Sequence, residues 1–418
     1  MKKAETQNNK LPRGWRKVKL GEITIPGGSV SGPFGSDIKS IYFRPAGVPI
    51  IRGNNLTMNI DKGRYIDDNY IFLDPKRFKE LKKAEALPED IIITARGTIG
   101  QTGIIPKNSK YPRYIISANQ LRFRIDKQKA DPLFVYYQLS SKYITQQMQN
   151  YSVNVGVPNF NLNAARNLEL LIPEDINEQK RIADIPSAFD DKIEVNNKII
   201  KTLEEMSQEV FKEWFNENSK FKSQRSKLEG WEIKDAEDVF VFEQGIEPGS
   251  KYYSETKKEG YIPFYRVRDL DKQSGVDVYI PEKIANGKIC KENDVLLSLD
   301  ATVGRVKIGC NGAFSSGIRK VYSKDGFIKN SFIYFWLKTP YVQNTILEYA
   351  SGTTILHASH SIKYLKFPFN KEVIEKIQSK VEPMFEKILQ ILRENQKLAE
   401  LRDLLLPKLM SGEILVNS

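Results

Sequence analysis

Two stretches of the chain carry apolar residues at helical steps of three, four or seven. The first runs from about Asn177 to Phe215 and places Ile182, Ile185, Phe189, Ile193, Ile200, Leu203, Val210 and Trp214 on one seam. The second runs from about Lys371 to Leu406 with Ile374, Ile377, Val381, Met384, Ile388, Ile391, Leu398 and Leu405. Both predict long amphipathic helices with a coiled-coil seam. Asn197 and Asn395 fall on those seams, where a polar residue can fix register. Pro186 and Pro383 lie near the two starts, so a bend or a late helix start is expected there. The segments before each helix are β-branched runs punctuated by Gly and Pro, which reads as short strands and turns.

The two halves follow one plan. Gly14-Trp15 recurs as Gly230-Trp231, and Pro49-Ile50-Ile51-Arg52 as Pro263-Phe264-Tyr265-Arg266. Asp90 to Gly100 recurs as Asp294 to Gly304. Downstream the offset settles at 198 residues, as in Phe134/Phe332, Tyr136/Tyr334, Val157/Ile355, Asn197/Asn395 and Leu203/Leu401. Each copy reads as a strand-rich globule, a short helical stretch (131–149 and 329–348, the second with Pro340 as a candidate split), then a long helix. The expected organisation is a globular domain over 1–173, a long helix over 174–216, a second globular domain over 217–370, and a long helix with a tail over 371–418. The fold class is α+β with an internal pseudo-two-fold repeat. A helix of ~35 residues spans roughly 50 Å at ~1.5 Å per residue, about 15 base pairs of duplex at ~3.4 Å per step. An antiparallel pair would make a stiff spacer between globules, the alternative being a two-helix dimerisation arm.

Composition narrows the partner. The chain has 418 residues with 64 Lys plus Arg against 52 Asp plus Glu, a net charge of +12, which favours a polyanion. Two cysteines imply no disulfide framework. The first residues lack a signal-peptide core and no apolar run reaches membrane-span length, so a soluble cytoplasmic protein is expected.

With the repeat in view, the chain resembles the specificity subunits of Type I restriction-modification systems. The resemblance rests on Leu401-Arg402-Asp403-Leu404-Leu405-Leu406-Pro407-Lys408-Leu409-Met410-Ser411-Gly412-Glu413-Ile414, on Val210-Phe211-Lys212-Glu213-Trp214-Phe215, on the Gly-Trp openings, and on Arg96-Gly97-Thr98-Ile99-Gly100. The second copy departs there, with Asp300 in place of the arginine. The resemblance implies two target recognition domains, each reading one half of a split, asymmetric double-stranded DNA site. It implies helices that set the spacing and dock two methyltransferase subunits, and two motor-nuclease subunits joining for cleavage. S-adenosylmethionine, ATP and Mg would belong to those partners. The docking residues expected are Phe189, Ile193, Ile200, Leu203, Phe211, Trp214, Phe385, Ile388, Leu398, Leu405 and Leu409.

Base reading calls for Arg opposite guanine and Asn or Gln opposite adenine, and phosphates call for basic or small polar groups. The candidates are Arg52, Asn54, Asn55, Arg96, Thr98, Gln101, Asn119, Gln120, Arg122 and Arg124 in the first half. In the second they are Arg266, Arg268, Arg305, Lys307, Arg319 and Lys320. Arg122 and Arg124 alternate with Leu121 and Phe123, which predicts a strand with one basic face, a phosphate rail or an ordinary exposed face. No chemistry of its own is expected of the chain. It lacks an Asn-Pro-Pro-aromatic methyltransferase motif, and Asp131-Pro132-Leu133-Phe134 is a poor look-alike. It lacks a phosphate-binding glycine loop. The acids at Glu174, Asp175 and Glu178 suit a helix start better than a nuclease, and His357 and His360 lack further metal ligands. The alternatives are a recognition subunit of a Type II-like enzyme cutting both sides of its site, and a coiled-coil interaction protein.

Overall fold

The computed structural model describes residues 11–58, 60, 63–151, 160–215, 230–271, 275–352 and 356–416, apart from the side chains of Tyr151, Trp214 and Phe215. The repeat positions Val157, Asn159 and Ile355 and the Trp214 side chain lie outside that description. The long helices form as the seams predict, over Ile176–Phe215 and Lys371–Ser411. Both start at capped ends: Asp175 Oδ1 accepts from Asn177 N–H and Asn370 Oδ1 from Val373 N–H. Helical structure continues through Pro186 and Pro383, so a late start at the prolines does not occur.

The chain folds into two compact units, and the helices are shared between them by halves. The first unit is Met1–Glu194 with Leu398–Ser418; the second is Val195–Lys397. Each globule is therefore completed by the start of its own long helix and the end of the other one.

In the first unit the strand Trp15–Lys19 pairs with Glu169–Pro173 and hands the chain to the helix. Two further sheets form the body. In one, Gln120–Ile125 lies between Thr24–Ser31 and Ile91–Thr94. In the other, Val48–Ile51 runs parallel to Tyr114–Ile116. The helix Pro132–Leu139 packs Phe134, Val135, Tyr136, Tyr137 and Leu139, all fully buried, against these strands. Ile182 and Ala183 of the first long helix and Leu406, Leu409 and Met410 of the second close the same core. Burial of apolar area on this scale, about 25 cal/mol per Å², is what holds the foreign helix end.

The second unit repeats the scheme. Glu232–Asp235 pairs with Lys366–Phe369, Ile318–Ser323 lies between Phe240–Gln244 and Val295–Ser298, and Tyr261–Tyr265 runs parallel to Gly312–Phe314. Its core joins Phe332, Phe335, Trp336 and Phe367 to Phe211 of the first helix and to Ile374, Ile377, Val381, Phe385 and Ile388 of the second. Lys380 meets Glu213 while Asn395 meets Asn196 and Asn197, so here the helices run antiparallel. Asn196, 1% exposed, takes the inner place on that seam and Asn197 the outer one. The short helical stretch is split in both units, at Ser140–Ser141 and at Lys338–Thr339, with Pro340 opening the final helix.

A glutamine tethers each helix start to its own globule. Gln179 Oε1 accepts from Asp131 N–H at 2.8 Å, and Gln378 Oε1 accepts from Lys329 N–H at 2.6 Å.

Candidate nucleic-acid interface

Three loops meet at one edge of each globule, tied by the same backbone bonds. In the first unit Ser117 N–H donates to Ile51 O, Ala95 N–H to Asn119 O, and Gly32 N–H to Gln120 O. In the second, Ser315 N–H donates to Tyr265 O, Leu299 N–H to Gly317 O, and Gly245 N–H to Ile318 O. Glycine is required at the crossing: a Cβ on Gly32 would lie 1.8 Å from Ser117 O, and one on Gly245 2.2 Å from Phe314 O. The turns 52–55, 95–101 and 117–120 thus form one platform, and 266–269, 299–305 and 315–319 its counterpart.

Each platform begins with a turn closed by its fourth residue. Asn55 Oδ1 accepts from Arg52 N–H at 2.9 Å, and its Nδ2 donates to Ile66 O and Asp68 O, each at 3.0 Å. Asp269 Oδ2 accepts from Arg266 N–H and Nε, each at 3.0 Å. Asn55 and Asp269 are 1% and 0% exposed. Asn55 is therefore a scaffold residue, and its amide is not free to read a base.

The comparisons with known proteins fit this doubled plan. The family model described as "Type I restriction modification DNA specificity domain" matches residues 12–205 and again residues 228–398. The chain belongs to that family. It is 27% identical to the Type I restriction enzyme MjaIX specificity subunit of Methanocaldococcus jannaschii over 99% of this chain and 96% of that one. It is 25% identical to the HindI specificity subunit of Haemophilus influenzae, covering 76% and 87%. Its fold is similar to the crystal structure of a Type I system S subunit from M. genitalium, at 18% identity and a TM-score of 0.52 over 97% and 98% of the chains.

Within this specificity-subunit fold the predicted contact residues separate into two groups. Arg96, Thr98, Asn54 and Asn119 are exposed on the first platform, with Arg52 and Gln101 half-buried beside them; Arg52 donates to Asn69 O at 3.2 Å. On the second platform Arg268 is exposed and reaches Asp277 at 3.4 Å; Arg305 is held by Asp271 and by Val267 O.

The other group is engaged inside the protein. The basic strand face does not form. Arg122, 5% exposed, donates to Gly28 O and Lys83 O, and Arg124 makes a two-pronged pair with Asp90 at 2.8 Å on both bonds. Side chains on both faces of the strand are buried, Arg124 in part, so neither face is an open basic one. Burial pushes the Arg122 guanidinium below its ordinary pKa, while the hydrogen bond to Asp90 raises that of Arg124. Gln120 is buried and bonds Ser117. In the second unit Arg319 is 7% exposed, donating to Ser316 O, Ile318 O and Ser359 Oγ, and burial lowers its pKa too. Lys320 pairs with Glu243 at 2.8 Å, and Lys307 donates to Asp269 O at 3.2 Å.

The docking residues divide in the same way. Ile193, Phe211, Phe385, Ile388 and Leu409 are buried in this chain's own cores, and Phe189, Ile200, Leu203, Leu398 and Leu405 are half-buried. The helix seam faces inward because it is the stripe that closes each globule. The exposed apolar positions are Val195, Ile199 and Met206 on the first helix and Leu401 and Leu404 on the second. Met206 and Leu404 are 198 residues apart, equivalent places in the repeat. The spacing could have revealed them, since they stand off the seam.

Among the described residues no grouping of His, Cys, Asp and Glu is placed to hold a metal ion, and no helix is long and apolar enough to cross a membrane. Cys290 and Cys310 are free and buried, and burial pushes the Cys310 thiol up to about 11.

Proposed function

We propose that this chain reads the split DNA target of a Type I restriction-modification complex and performs no catalysis itself. The observation that carries the reading is the family match falling twice on one chain, once on each globule-and-helix copy. Two platforms of one backbone design carry different side chains, Arg96 against Asp300 and Gln101 against Arg305, which suits an asymmetric site. The net charge of +12 favours the polyanion.

In this reading two methyltransferase subunits dock on the repeated helices, using the exposed apolar faces at Val195, Ile199 and Met206 and at Leu401 and Leu404. The doubled plan supports two such surfaces on one chain. Two motor-nuclease subunits add cleavage. S-adenosylmethionine, ATP and Mg act in those partners, and the complex works in the cytoplasm on double-stranded DNA.

The test is a genome-wide map of methylated adenines in host cells with and without the gene. Loss of one split, asymmetric motif is the expected result. An unchanged map, repeated with the candidate methyltransferase co-expressed, overturns it.

A further inference from the structure

One side chain on the second platform was not among the predicted contacts. The two-residue strand Leu356–His357 pairs antiparallel with Asp300–Ala301, at the place where the first unit has Arg96. Its backbone is fixed on both sides: Ala358 N–H donates to Leu299 O at 2.7 Å, and Ser351 and His357 exchange N–H···O bonds at 3.0 and 2.8 Å. The first unit ties Phe160 N–H to Ala95 O at 3.1 Å, the equivalent bond, with its donor 198 and its acceptor 204 residues earlier. The attachment is thus part of the shared platform, and the residue it displays differs.

The imidazole stands 63% exposed, with Nδ1 2.8 Å from Asp300 Oδ1. A carboxylate only accepts, so Nδ1 carries a proton, and in the neutral form of the ring Nε2 then holds a lone pair. An exposed pair of this kind contributes little to stability, yet it fixes both the tautomer and the ring. In that form the imidazole and the Asp300 carboxylate together carry negative charge, a poor match for phosphate. Neighbouring Arg319 is turned inward onto Ser316 O, Ile318 O and Ser359 Oγ. A bare acceptor on a DNA-facing edge suits a base that offers an N–H group. In the major groove those are the exocyclic amines of adenine and cytosine.

We propose that His357 is a base-reading residue of the second unit, its Nε2 accepting a hydrogen bond from the amine of an adenine or cytosine in the second half-site, with Asp300 as its positioning residue. This rests on the DNA-reading function proposed above.

The test uses the full chain assembled with its methyltransferase partner. The probes are duplex oligonucleotides carrying the motif from the methylation map, each with one base pair replaced. His357→Ala is expected to lower discrimination at one position of the second half-site by about tenfold or more, the usual scale for one base pair. The base pair at that position, read from the wild-type panel, identifies the amine: adenine's in an A·T pair, cytosine's in a G·C pair. Discrimination in the first half-site and at the other positions of the second stays intact, which shows in the same sample that both units are folded. The salt dependence of binding also stays unchanged, since a lost phosphate contact would lower its slope by about one. His357→Phe, which keeps the ring but has no acceptor, should behave as the alanine variant does. A reduced salt slope with discrimination retained, or a panel equal to wild type, would overturn the proposal. A wild-type complex that binds with no sequence preference overturns the DNA-reading function itself, and this proposal with it.

Discussion

The two units hold a foreign helix end with the same backbone plan and opposite charges. In the first, Arg402 of the second long helix is 4% exposed at its side chain and meets Asp190, 2% exposed, at 2.8 Å. Tyr137 Oη donates to the same carboxylate at 2.6 Å, and Arg402 reaches Ile60 O at 3.3 Å. The place 198 residues earlier is Glu204, in the second unit. It takes Lys338 Nζ at 2.6 Å and bonds Tyr334 Oη, with about a quarter of both charged side chains exposed. Arg402 also meets the exposed Asp403 at 2.8 Å, but its contact with Asp190 is a buried ion pair, whereas Glu204 and Lys338 form a partly exposed one. Duplication preserves the geometry of packing, while the charges at the contact are free to diverge in each copy.

This difference sets the largest predicted effect. Arg402→Ala leaves a buried carboxylate without its counter-charge and should destabilise the first unit by about 3–5 kcal/mol. Glu204→Ala leaves a lysine that can reach water and should remove about 1 kcal/mol. Amide hydrogen exchange resolved by unit, under denaturant, reads the two separately. Equal losses would sink the contrast. The double change Asp190→Leu with Arg402→Met should be milder than Arg402→Ala, since no lone charge remains.

The platform turns offer the next contrast. Asn55 donates to two backbone carbonyls and accepts one N–H, whereas Asp269 accepts from both the backbone and the side chain of Arg266. Asn55→Asp would set a carboxylate against two carbonyl oxygens and should cost about 1–3 kcal/mol. The reciprocal Asp269→Asn keeps an acceptor for Arg266 N–H and should be milder. Thermal unfolding of both variants checks the order, and a milder Asn55→Asp would refute the turn model.

A functional contrast comes third. Arg96 is exposed with no side-chain partner among the described residues, while Arg305 is clamped by Asp271. Arg96→Ala should weaken DNA binding by about 1–3 kcal/mol if it reads a base, with relaxed discrimination confined to the first half-site. Arg305→Ala should change the second half-site less. Relaxation in both halves from either variant would contradict independent reading.

What could be read in the sequence follows from the range of the interactions. The repeat, the long helices and Asn395 are local or periodic, so spacing alone exposes them; the inner place opposite Asn395 goes to Asn196, one residue from the Asn197 that the spacing picks. The inward turn of Arg122 and Arg319 is not local: it depends on Gly28, Lys83 and Ser359, brought in by other strands. Asn55 looked like a base reader because its partners at Ile66 and Asp68 lie across a loop. Likewise a seam shows which helix face is apolar, but not which globule it closes. That each unit borrows the other helix's end shows only in long-range contacts such as those of Leu409 and Phe211. The tethers Gln179 and Gln378 left a signal, one residue type recurring 199 positions apart. His357 left none, since its equivalent is Asn159 and its partner Asp300 lies on another strand.

The smallest contrast lies in the central strands. In the first unit Arg122 faces Val30 across the sheet; in the second Lys320 faces Glu243. Burial works against the Glu243 carboxylate, but bonds from Lys320 at 2.8 Å and Lys288 at 2.9 Å outweigh it and hold its pKa below the usual glutamate value. A carboxylate depressed on folding adds stability above its unfolded pKa of about 4.3 and loses it as pH falls through the lower folded value. Glu243→Gln should therefore unfold more readily than wild type at pH 7, by about 1 kcal/mol, since the amide oxygen still accepts from the two partly buried lysines. The gap should close as the solution is acidified below pH ~4. The first unit, with valine at that place, has no matching term. Denaturant midpoints of the two proteins measured across that range test the sign: a gap that widens on acidification would mean that Glu243 is held in its protonated form, and the two lysines would then have no anion between them.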